Sequence, residues 1–314
     1  MKTLFLNCYK CKKIILIKEF QKMLYQLNNL VHGTVMKRPS AILKTPYVAD
    51  VLLSNKDQVI AHSLSLGCCG LADITAQVLL EDLTSIQKEK INKKTEKPKC
   101  SHRIHLSISR DEERKKEIII GINPKLAEIL VEKALEQNVV HCLQNIKSYK
   151  REVTMRICGK VDSRFDFTGI DQNGTPFIME IKNVPLADYE DVASKDRKHM
   201  DFTGREFFSK VAYFPDGYRK KSADPISPRA LKHVQELTWI KNQDPRIRCI
   251  LCFVIQRSDV NRFAPSVIDP IYREAVRVAM EAGVEIIPLV IKWERSGETS
   301  YDAHFVCDDL PIVF

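Results

Sequence analysis

The spacing of apolar and polar residues divides the chain into two parts. From Leu30 to about Leu83, short apolar runs of strand length are separated by Gly, Pro and the tripeptide Asn-Lys-Asp. Residues 84–100 contain almost no apolar residues, and strand-like runs such as "HRIHLSIS" and "EIIIGIN" return after them. Short strands at this spacing are typical of a small all-β barrel or sandwich. We therefore predict an all-β module in this part of the chain, with a basic loop over residues 84–100.

Beyond Ile120 the pattern changes to alternating helices and strands. Helices are predicted to begin at Pro124, Pro228 and Pro270, because each proline follows an Asn, Ser or Asp that can cap a helix. The run "IRCILCFVI" is continuously apolar, as expected of a central strand that is covered on both faces. The predicted order is helix, three strands, helix, strand, helix, strand. This order predicts an α/β domain over residues 118–314.

The hairpin "VDSRFDFTGIDQNGTPFIMEIKNV" contains charged residues inside apolar strands. A turn closed by Gly174 in the left-handed conformation sets the pairing of its two strands. In that register Asp166 lies directly opposite Glu180, and alternation places Phe165 and Phe167 together on the apolar face. A slip of one residue would move both phenylalanines to the charged face. The sequence therefore favours the register that brings the two carboxylates together.

Two opposed carboxylates repel each other unless a positive charge lies between them. Lys182, one pleat beyond Glu180, is one source of that charge, and a divalent cation is the other. Carboxylate oxygens are ligands that Mg²⁺ accepts together with water and phosphate oxygens. The lysine could then orient or deprotonate an attacking water, or neutralise charge on a phosphate. The alternative is a surface hairpin that holds only ion pairs.

The net charge of +9 is unevenly distributed. Residues 1–117 contain 21 Lys and Arg against 12 Asp and Glu, whereas residues 118–314 contain 28 of each. An excess of positive charge in the first third indicates a polyanion as partner, or else a solvated lysine-rich loop. No stretch approaches the ~20 apolar residues of a membrane span, so we predict a protein without a membrane partner. We expect it in the cytoplasm, with a nuclear or organellar location as the alternative.

Ten cysteines without a secretory signal indicate reduced thiols. Cys8 and Cys11 have the spacing of a zinc knuckle, but no second pair completes four ligands. Cys68 and Cys69 are adjacent, which is poor geometry for one metal ion. We therefore interpret the cysteines as free thiols.

Several segments between residues 120 and 290 resemble one known family. An Asp followed by a turn and Glu-x-Lys, within the order helix, three strands, helix, strand, is similar to the restriction-endonuclease-like PD-(D/E)xK fold. The more specific resemblance is to the sugar fermentation stimulation protein (SfsA-like) family. "LVHGTVMKR" and "VIAHSLSLG" resemble a diverged copy of the N-terminal OB-type barrel of that family. The matching segments of the second part are "GINPKLAEILVEKALEQ", "SRFDF", "MEIKNVPL", "YFPD", "RALKHVQEL", "LCFVIQRSDVNRFAPSVIDPIY" and "AGVEIIP".

The resemblance implies a fold with three parts. Residues 1–29 would be an N-terminal extension, and residues 30–117 an OB-type β-barrel domain. Residues 118–314 would be a restriction-endonuclease-like α/β (α+β) core with helices on a mixed sheet. The barrel segment "HSLSLGCCGL" departs from the family pattern. Charged insertions near residues 187–212 and 218–226 follow strand ends close to the implied site, where they could reshape access to it.

The resemblance also implies the residues of a site. Asp166, Glu180 and Lys182 would be the catalytic residues, and the two carboxylates would hold Mg²⁺ or Mn²⁺. Gln256 resembles the polar residue that often completes such sites. Glu132 could add an outer carboxylate, although a solvated helix face is the simpler interpretation.

Four further residues would contact nucleic acid. Arg229 and His233 lie four apart on one helix face, where the family has a basic pair, and surface or packing roles are the alternative. Arg164 and Arg257 are the other two candidates. Asp216 also matches the family, without an assigned role.

The family implies DNA binding on a nuclease-like core. The barrel segment from Leu30 to Glu117 contains one aromatic residue, Tyr47, so bases cannot stack repeatedly along it. We therefore predict binding to double-stranded DNA through backbone electrostatics, and a homodimer is compatible with the sequence. The alternatives are an active Mg²⁺-dependent DNA phosphodiesterase, or a non-catalytic regulatory or scaffold protein.

Overall fold

The computed structural model describes residues 22–64, 68–87, 90–91, 93, 96–217 and 224–314. Cys8, Cys11 and residues 218–223 of the second predicted insertion lie outside the described residues. Within them, no helix is long and apolar enough to cross a membrane. The strands are β1 (Met23–Leu27), β2 (Leu30–Lys37), β3 (Val48–Leu53), β4 (Gln58–Ser63), β5 (Gln77–Asp82), β6 (His102–Asp111), β7 (Lys116–Gly121), β8 (Ser148–Ile157), β9 (Val161–Ile170), β10 (Pro176–Val184), β11 (Ala187–Asp188), β12 (Lys210–Phe214), β13 (Arg248–Ile255), β14 (Val260–Pro265), β15 (Glu285–Arg295) and β16 (Tyr301–Cys307). The helices are α1 (Pro124–Glu136), α2 (Ser194–Arg197), α3 (Pro228–Gln243) and α4 (Pro270–Glu281).

Strands β2 to β6 form a closed five-stranded barrel. β2 pairs with β3 and β5, β3 pairs with β4, and β5 pairs with β6. A parallel pairing of β4 with β6 closes the ring. Its interior is filled by fully buried aliphatic side chains such as Val51, Ala61 and Leu80. The barrel expected from the short apolar runs is therefore present.

The barrel continues into the sheet of the α/β part. β7 pairs with β6 of the barrel, and Ile119 of β7 also pairs with Trp293 of β15. From β15 the strand order is β13, β10, β9 and β8. β10, β13 and β15 are parallel, whereas β8 and β9 are antiparallel to their neighbours, so the sheet is mixed as expected. β11, β12 and β14 form a separate small sheet.

Both faces of the central strands are covered, which explains the continuously apolar sequence of β13. One face packs against α1 and the other against α3 and α4. In β13, Ile250 and Cys252 contact the α1 side, whereas Leu251 and Phe253 contact the α3 and α4 side. Parallel strands are usually buried in this way because their connections place helices on both faces.

The predicted register of the hairpin between β9 and β10 is confirmed up to Phe167, which pairs with Met179. Gly174 closes the turn with a φ of +86°. Beyond this pair the regular ladder ends. Phe165 and Phe167 pack in different hydrophobic clusters, so the prediction that they share one face is wrong. Phe165 lies beyond the end of the β9–β10 ladder, where β9 pairs only with β8.

The segment assigned to an N-terminal extension contains a strand. β1 pairs antiparallel with β16, with Leu27 opposite Tyr301. Its buried residues Leu24 and Leu27 belong to the same cluster as α1. The chain therefore contributes to the α/β part of the sheet before it enters the barrel.

Gly121, at the end of β7, is expected to tolerate no side chain. A Cβ atom there would lie 1.9 Å from Oε1 of the fully buried Gln256. We predict that Gly121→Ala lowers the free energy of unfolding in urea by about 1–3 kcal/mol, because a packed interior must shift to admit the methyl group. Gly297→Ala is the matched control, since its Cβ would meet nothing nearer than 3.4 Å. Equal stability of the two variants would contradict this.

Candidate metal centre at the end of strand β10

A cleft of about 240 Å³ opens at the end of β10, beside the first residues of α1 and α3. β10 contributes Glu180, Lys182 and Asn183, and β9 contributes Asp166, which directly precedes the last residue paired with β10. Because both helices begin at this edge of the sheet, residues near their starts supply much of the remaining wall, together with Phe214 of β12. The lining residues are Pro124, Glu128, Asp166, Glu180, Ile181, Lys182, Asn183, Phe214, Ser227, Arg229 and Ala230.

Glu180 is a buried carboxylate with one oxygen occupied and one unpaired. Its side chain is 4% exposed. Oε1 accepts from Nζ of Lys182 at 2.5 Å and also contacts Nδ1 of His233. Oε2 is buried without a hydrogen-bond partner among the described residues. Burial alone would raise the pKa of Glu180, but Lys182 and His233 outweigh it and lower that pKa. The site therefore holds an ionised carboxylate with one free oxygen.

Asp166 lies beside Glu180, but its pKa is shifted in the opposite direction. Its Oδ2 accepts from the backbone N–H of Ile181 at 2.7 Å. Burial, followed by the negative charge of Glu180, raises the pKa of Asp166 to about 7. A carboxylate that is held close to a second carboxylate gains most from an added cation. The hydrogen bond to Ile181 fixes its orientation across the gap where the ladder has ended.

These two carboxylates fit a divalent cation that takes few protein ligands. No group of three or more His, Cys, Asp or Glu side chains among the described residues is arranged to hold a metal ion. Mg²⁺ usually binds through one or two carboxylates and fills its other positions with water and phosphate oxygens. The unpaired Oε2 of Glu180 is an oxygen donor of the required kind. Asp166 and Glu180 would therefore be the protein ligands of such an ion.

The basic pair on α3 is divided between two environments. His233 is buried against Glu180, and its ring also lies 5.9 Å from that of Phe165. Arg229 is exposed at the rim of the cleft, and its guanidinium makes no ion pair or hydrogen bond within the described part of the chain. His233 therefore holds Glu180, and Arg229 is free to contact an anion in the cleft.

Three predicted residues lie outside the cleft. Gln256 is fully buried and donates to Asn183. Arg257 is buried as well, where it makes two hydrogen bonds of 2.7 Å to Asp259 and one to the carbonyl of Pro185. These contacts leave its guanidinium no access to a phosphate. Arg164 is exposed on β9 and forms an ion pair of 3.3 Å with Glu152.

Glu128 and Asn183 line the cleft, although neither was predicted as a site residue. Glu132, considered as an outer carboxylate, instead pairs with Arg151 at 2.6 Å. Glu128, one helical turn earlier, lines the cleft. Its position near the capped start of α1 is the feature of the sequence that could have identified it. Asn183 follows directly after the Glu-x-Lys motif and also lines the cleft.

Comparison with known proteins gives one consistent result. Residues 125–195 and 201–297, more than half of the chain, match the family model of the sugar fermentation stimulation protein RE domain. The sugar fermentation stimulation protein homolog of Magnetococcus marinus is 27% identical over 243 residues, which cover 77% of this chain and 83% of that protein. The homolog of Desulforamulus reducens is 31% identical over 192 residues, covering 61% of this chain and 63% of that protein.

One solved structure is similar over nearly the whole chain. It is that of Pyrococcus furiosus SfsA in complex with Ca²⁺, with a TM-score of 0.66 and 19% sequence identity. The alignment covers 93% of this chain and 100% of that one. At this identity the likeness establishes the shared fold.

The raised pKa of Asp166 predicts a pH-dependent gain in stability on substitution. Because its folded pKa of about 7 exceeds its ordinary value of 3.8, ionisation of Asp166 costs stability as the pH rises towards 7. Asp166→Asn keeps an acceptor for the Ile181 N–H and removes the charge. In the absence of divalent cations, we expect the increase in the free energy of unfolding over the wild type to be about 2 kcal/mol larger at pH 8 than at pH 5.

The exposed Asp162 on the same strand provides the control, because its side chain is 70% exposed. Asp162→Asn should change stability equally at the two pH values. A pH-independent effect of Asp166→Asn would contradict the electrostatic setting described for Asp166.

Proposed function

The chain belongs to the sugar fermentation stimulation protein family, and from this premise we propose that it binds DNA and holds a nuclease-type metal site on a restriction-endonuclease-like core. The observation that carries the proposal is the geometry of Glu180. Glu180, whose Oε2 has no hydrogen-bond partner among the described residues, lines the same cleft as Asp166, Lys182 and Arg229. Two carboxylates, a lysine and an arginine in one cleft match the needs of phosphodiester chemistry, which requires a cation and positive charge around the phosphate. The Pyrococcus protein in its complex with Ca²⁺ is a related protein that takes a divalent cation, which supports the proposal.

Five residues have a role in this proposal. Asp166 and Glu180 would hold Mg²⁺ or Mn²⁺, which supplies polarisation of a phosphate oxygen. His233 keeps Glu180 ionised and oriented from the buried side. Lys182 is bound to Glu180 in the absence of substrate and is close enough to neutralise charge on a phosphate. Arg229, at the rim, would contact the phosphate from outside.

DNA would be held mainly through its backbone. The excess of positive charge lies in the first third of the chain, which contains the barrel. With a single aromatic residue from Leu30 to Glu117, the barrel cannot stack successive bases, and phosphate contacts would dominate. We propose double-stranded DNA as the partner because such binding does not depend on exposed bases.

A second candidate function is DNA binding without cleavage. The observation in its favour is that Lys182 and His233 both contact the same oxygen of Glu180. These contacts already occupy one of the two oxygens of the Glu180 carboxylate. A regulatory protein that used the core only as a scaffold would retain such ion pairs without binding a cation.

Binding to duplex DNA is expected to weaken steeply with salt. Raising the salt concentration from about 50 to about 200 mM should lower the affinity at least about tenfold, because each phosphate contact releases counterions. Fluorescence anisotropy with a labelled duplex of arbitrary sequence measures this. An affinity that did not change with salt would contradict backbone recognition.

Lys182→Met separates cation binding from cleavage. The variant removes the positive charge that competes for Glu180, so we expect it to bind Mn²⁺ at least as tightly as the wild type in calorimetric titration. Cleavage of DNA, if the wild type shows it, should fall by at least about 100-fold, since the lysine charge near the phosphate is lost.

Two glutamine variants control this measurement. Glu180→Gln should abolish Mn²⁺ binding, whereas Glu132→Gln, which removes the same charge outside the cleft, should not.

Cleavage that persisted in Asp166→Ala, Glu180→Ala and Lys182→Ala would come from another site or from a contaminant. Absence of both cation binding and cleavage in the wild type would favour the scaffold function.

A further inference from the structure

A second, larger cleft of about 900 Å³ leads from the candidate metal centre to the barrel. We call it the barrel groove. Six residues line both clefts, so the two spaces are continuous: Pro124, Ile181, Lys182, Asn183, Phe214 and Ser227. The barrel contributes the opposite wall through Arg38, Pro39, Pro46, Cys69 and Asp73. The groove is therefore formed jointly by the barrel and the α/β part.

The lining of the barrel groove suits an uncharged group better than a chain of phosphates. Its walls are largely apolar, and Asp73 and Asp216 bring negative charge. The guanidinium of Arg38 is engaged within the barrel, with Nε donating to the carbonyl of Pro46 at 2.8 Å and Nη1 lying 3.6 Å from Asp73. A space of this size and character is typical of sites that enclose one small, mostly apolar ligand.

Asn183 presents a hydrogen-bond donor whose orientation is fixed by its neighbours. The indole N–H of Trp293 can only donate, and it donates to Oε1 of Gln256 at 3.0 Å. The Nε2 atom of Gln256 therefore donates to Oδ1 of Asn183, at 2.7 Å. This leaves Nδ2 of Asn183 as the remaining donor, buried and without a partner among the described residues. An acceptor on a ligand would satisfy it.

We propose that the barrel groove takes the base and sugar of one unpaired nucleotide, adjoining a phosphate at Lys182 and Arg229. The Nδ2 atom of Asn183 donates to an acceptor on that base. This inference rests on the proposed DNA binding and adds a substrate class to it. A base stacked and paired inside a duplex cannot enter a groove of single-ligand size, so the nucleotide must be unpaired or flipped out. The excess positive charge of the first third of the chain holds the remaining DNA, and the groove selects the nucleotide next to the reacting bond.

Three labelled DNA probes test the proposal with the full-length protein. They are a single strand of about 10 nucleotides, the same strand with abasic sites, and a blunt duplex of equal length. The normal single strand should bind about tenfold more tightly than the abasic strand, because only it offers a base to the groove. Equal affinity for the normal and abasic strands would overturn the proposal. If none of the three probes binds at low salt, the proposed function and this inference both fail.

Cys69 allows the groove to be filled from the barrel side. Its side chain is exposed and lies far from the carboxylates in sequence and on the opposite wall. Cys69→Trp should reduce binding of the normal single strand about tenfold and leave duplex binding unchanged, whereas Cys69→Ser should bind like the wild type. Wild-type affinity of Cys69→Trp for the single strand, with duplex binding intact, would overturn the groove proposal while leaving DNA binding in place.

Asn183→Asp tests the donor itself. The aspartate keeps an acceptor for Gln256 and replaces the free donor by an acceptor. Its added negative charge weakens both single strands alike, so the informative quantity is the ratio of their dissociation constants. We expect the preference for the normal over the abasic strand to fall at least about threefold. A preference equal to that of the wild type would exclude Asn183 as the donor to the base.

Discussion

The charge of Glu180 is the constraint on which the site depends. A carboxylate buried at this depth costs several kcal/mol unless opposite charge or hydrogen bonds compensate it. Lys182 on the same strand and His233 on α3 supply that compensation at one oxygen. α3 must therefore lie where His233 reaches the strand, and this placement also brings Arg229 to the rim. The same contacts leave the second oxygen of Glu180 without a hydrogen-bond partner among the described residues.

The end of the ladder between β9 and β10 is the second condition for the site. The regular ladder between β9 and β10 ends at Phe167, and Asp166 instead accepts from the Ile181 N–H. On the other side of β9, the neighbouring strand has Glu152 in the left-handed region at a φ of +52°. Strained backbone of this kind occurs at functional sites when the surrounding structure imposes it. Beyond the end of this ladder, Asp166 lines the cleft and Phe165 packs in a different core from Phe167.

A chain of hydrogen bonds links the cleft to the rest of the fold. It runs from Trp293 on β15 through Gln256, directly after β13, to Asn183 on β10. Gly121, on the strand that leaves the barrel, packs against Gln256 without room for a side chain. The buried contact between Gly121 and Gln256 therefore connects the strand that leaves the barrel with the hydrogen bonds that reach the cleft.

The sequence alone determined what depends on local spacing. Turn chemistry fixed the register that pairs Phe167 with Met179, alternation placed Glu180 and Lys182 on one face, and caps marked the starts of three helices. Tertiary structure decided what depends on residues distant in sequence: the hydrogen bond from Ile181 to Asp166, the partnership of His233 with Glu180, and the burial of Arg257 against the carbonyl of Pro185. Local spacing does not predict these contacts. The role of a buried charged side chain depends on the groups packed around it, and those groups are brought together only when the chain folds.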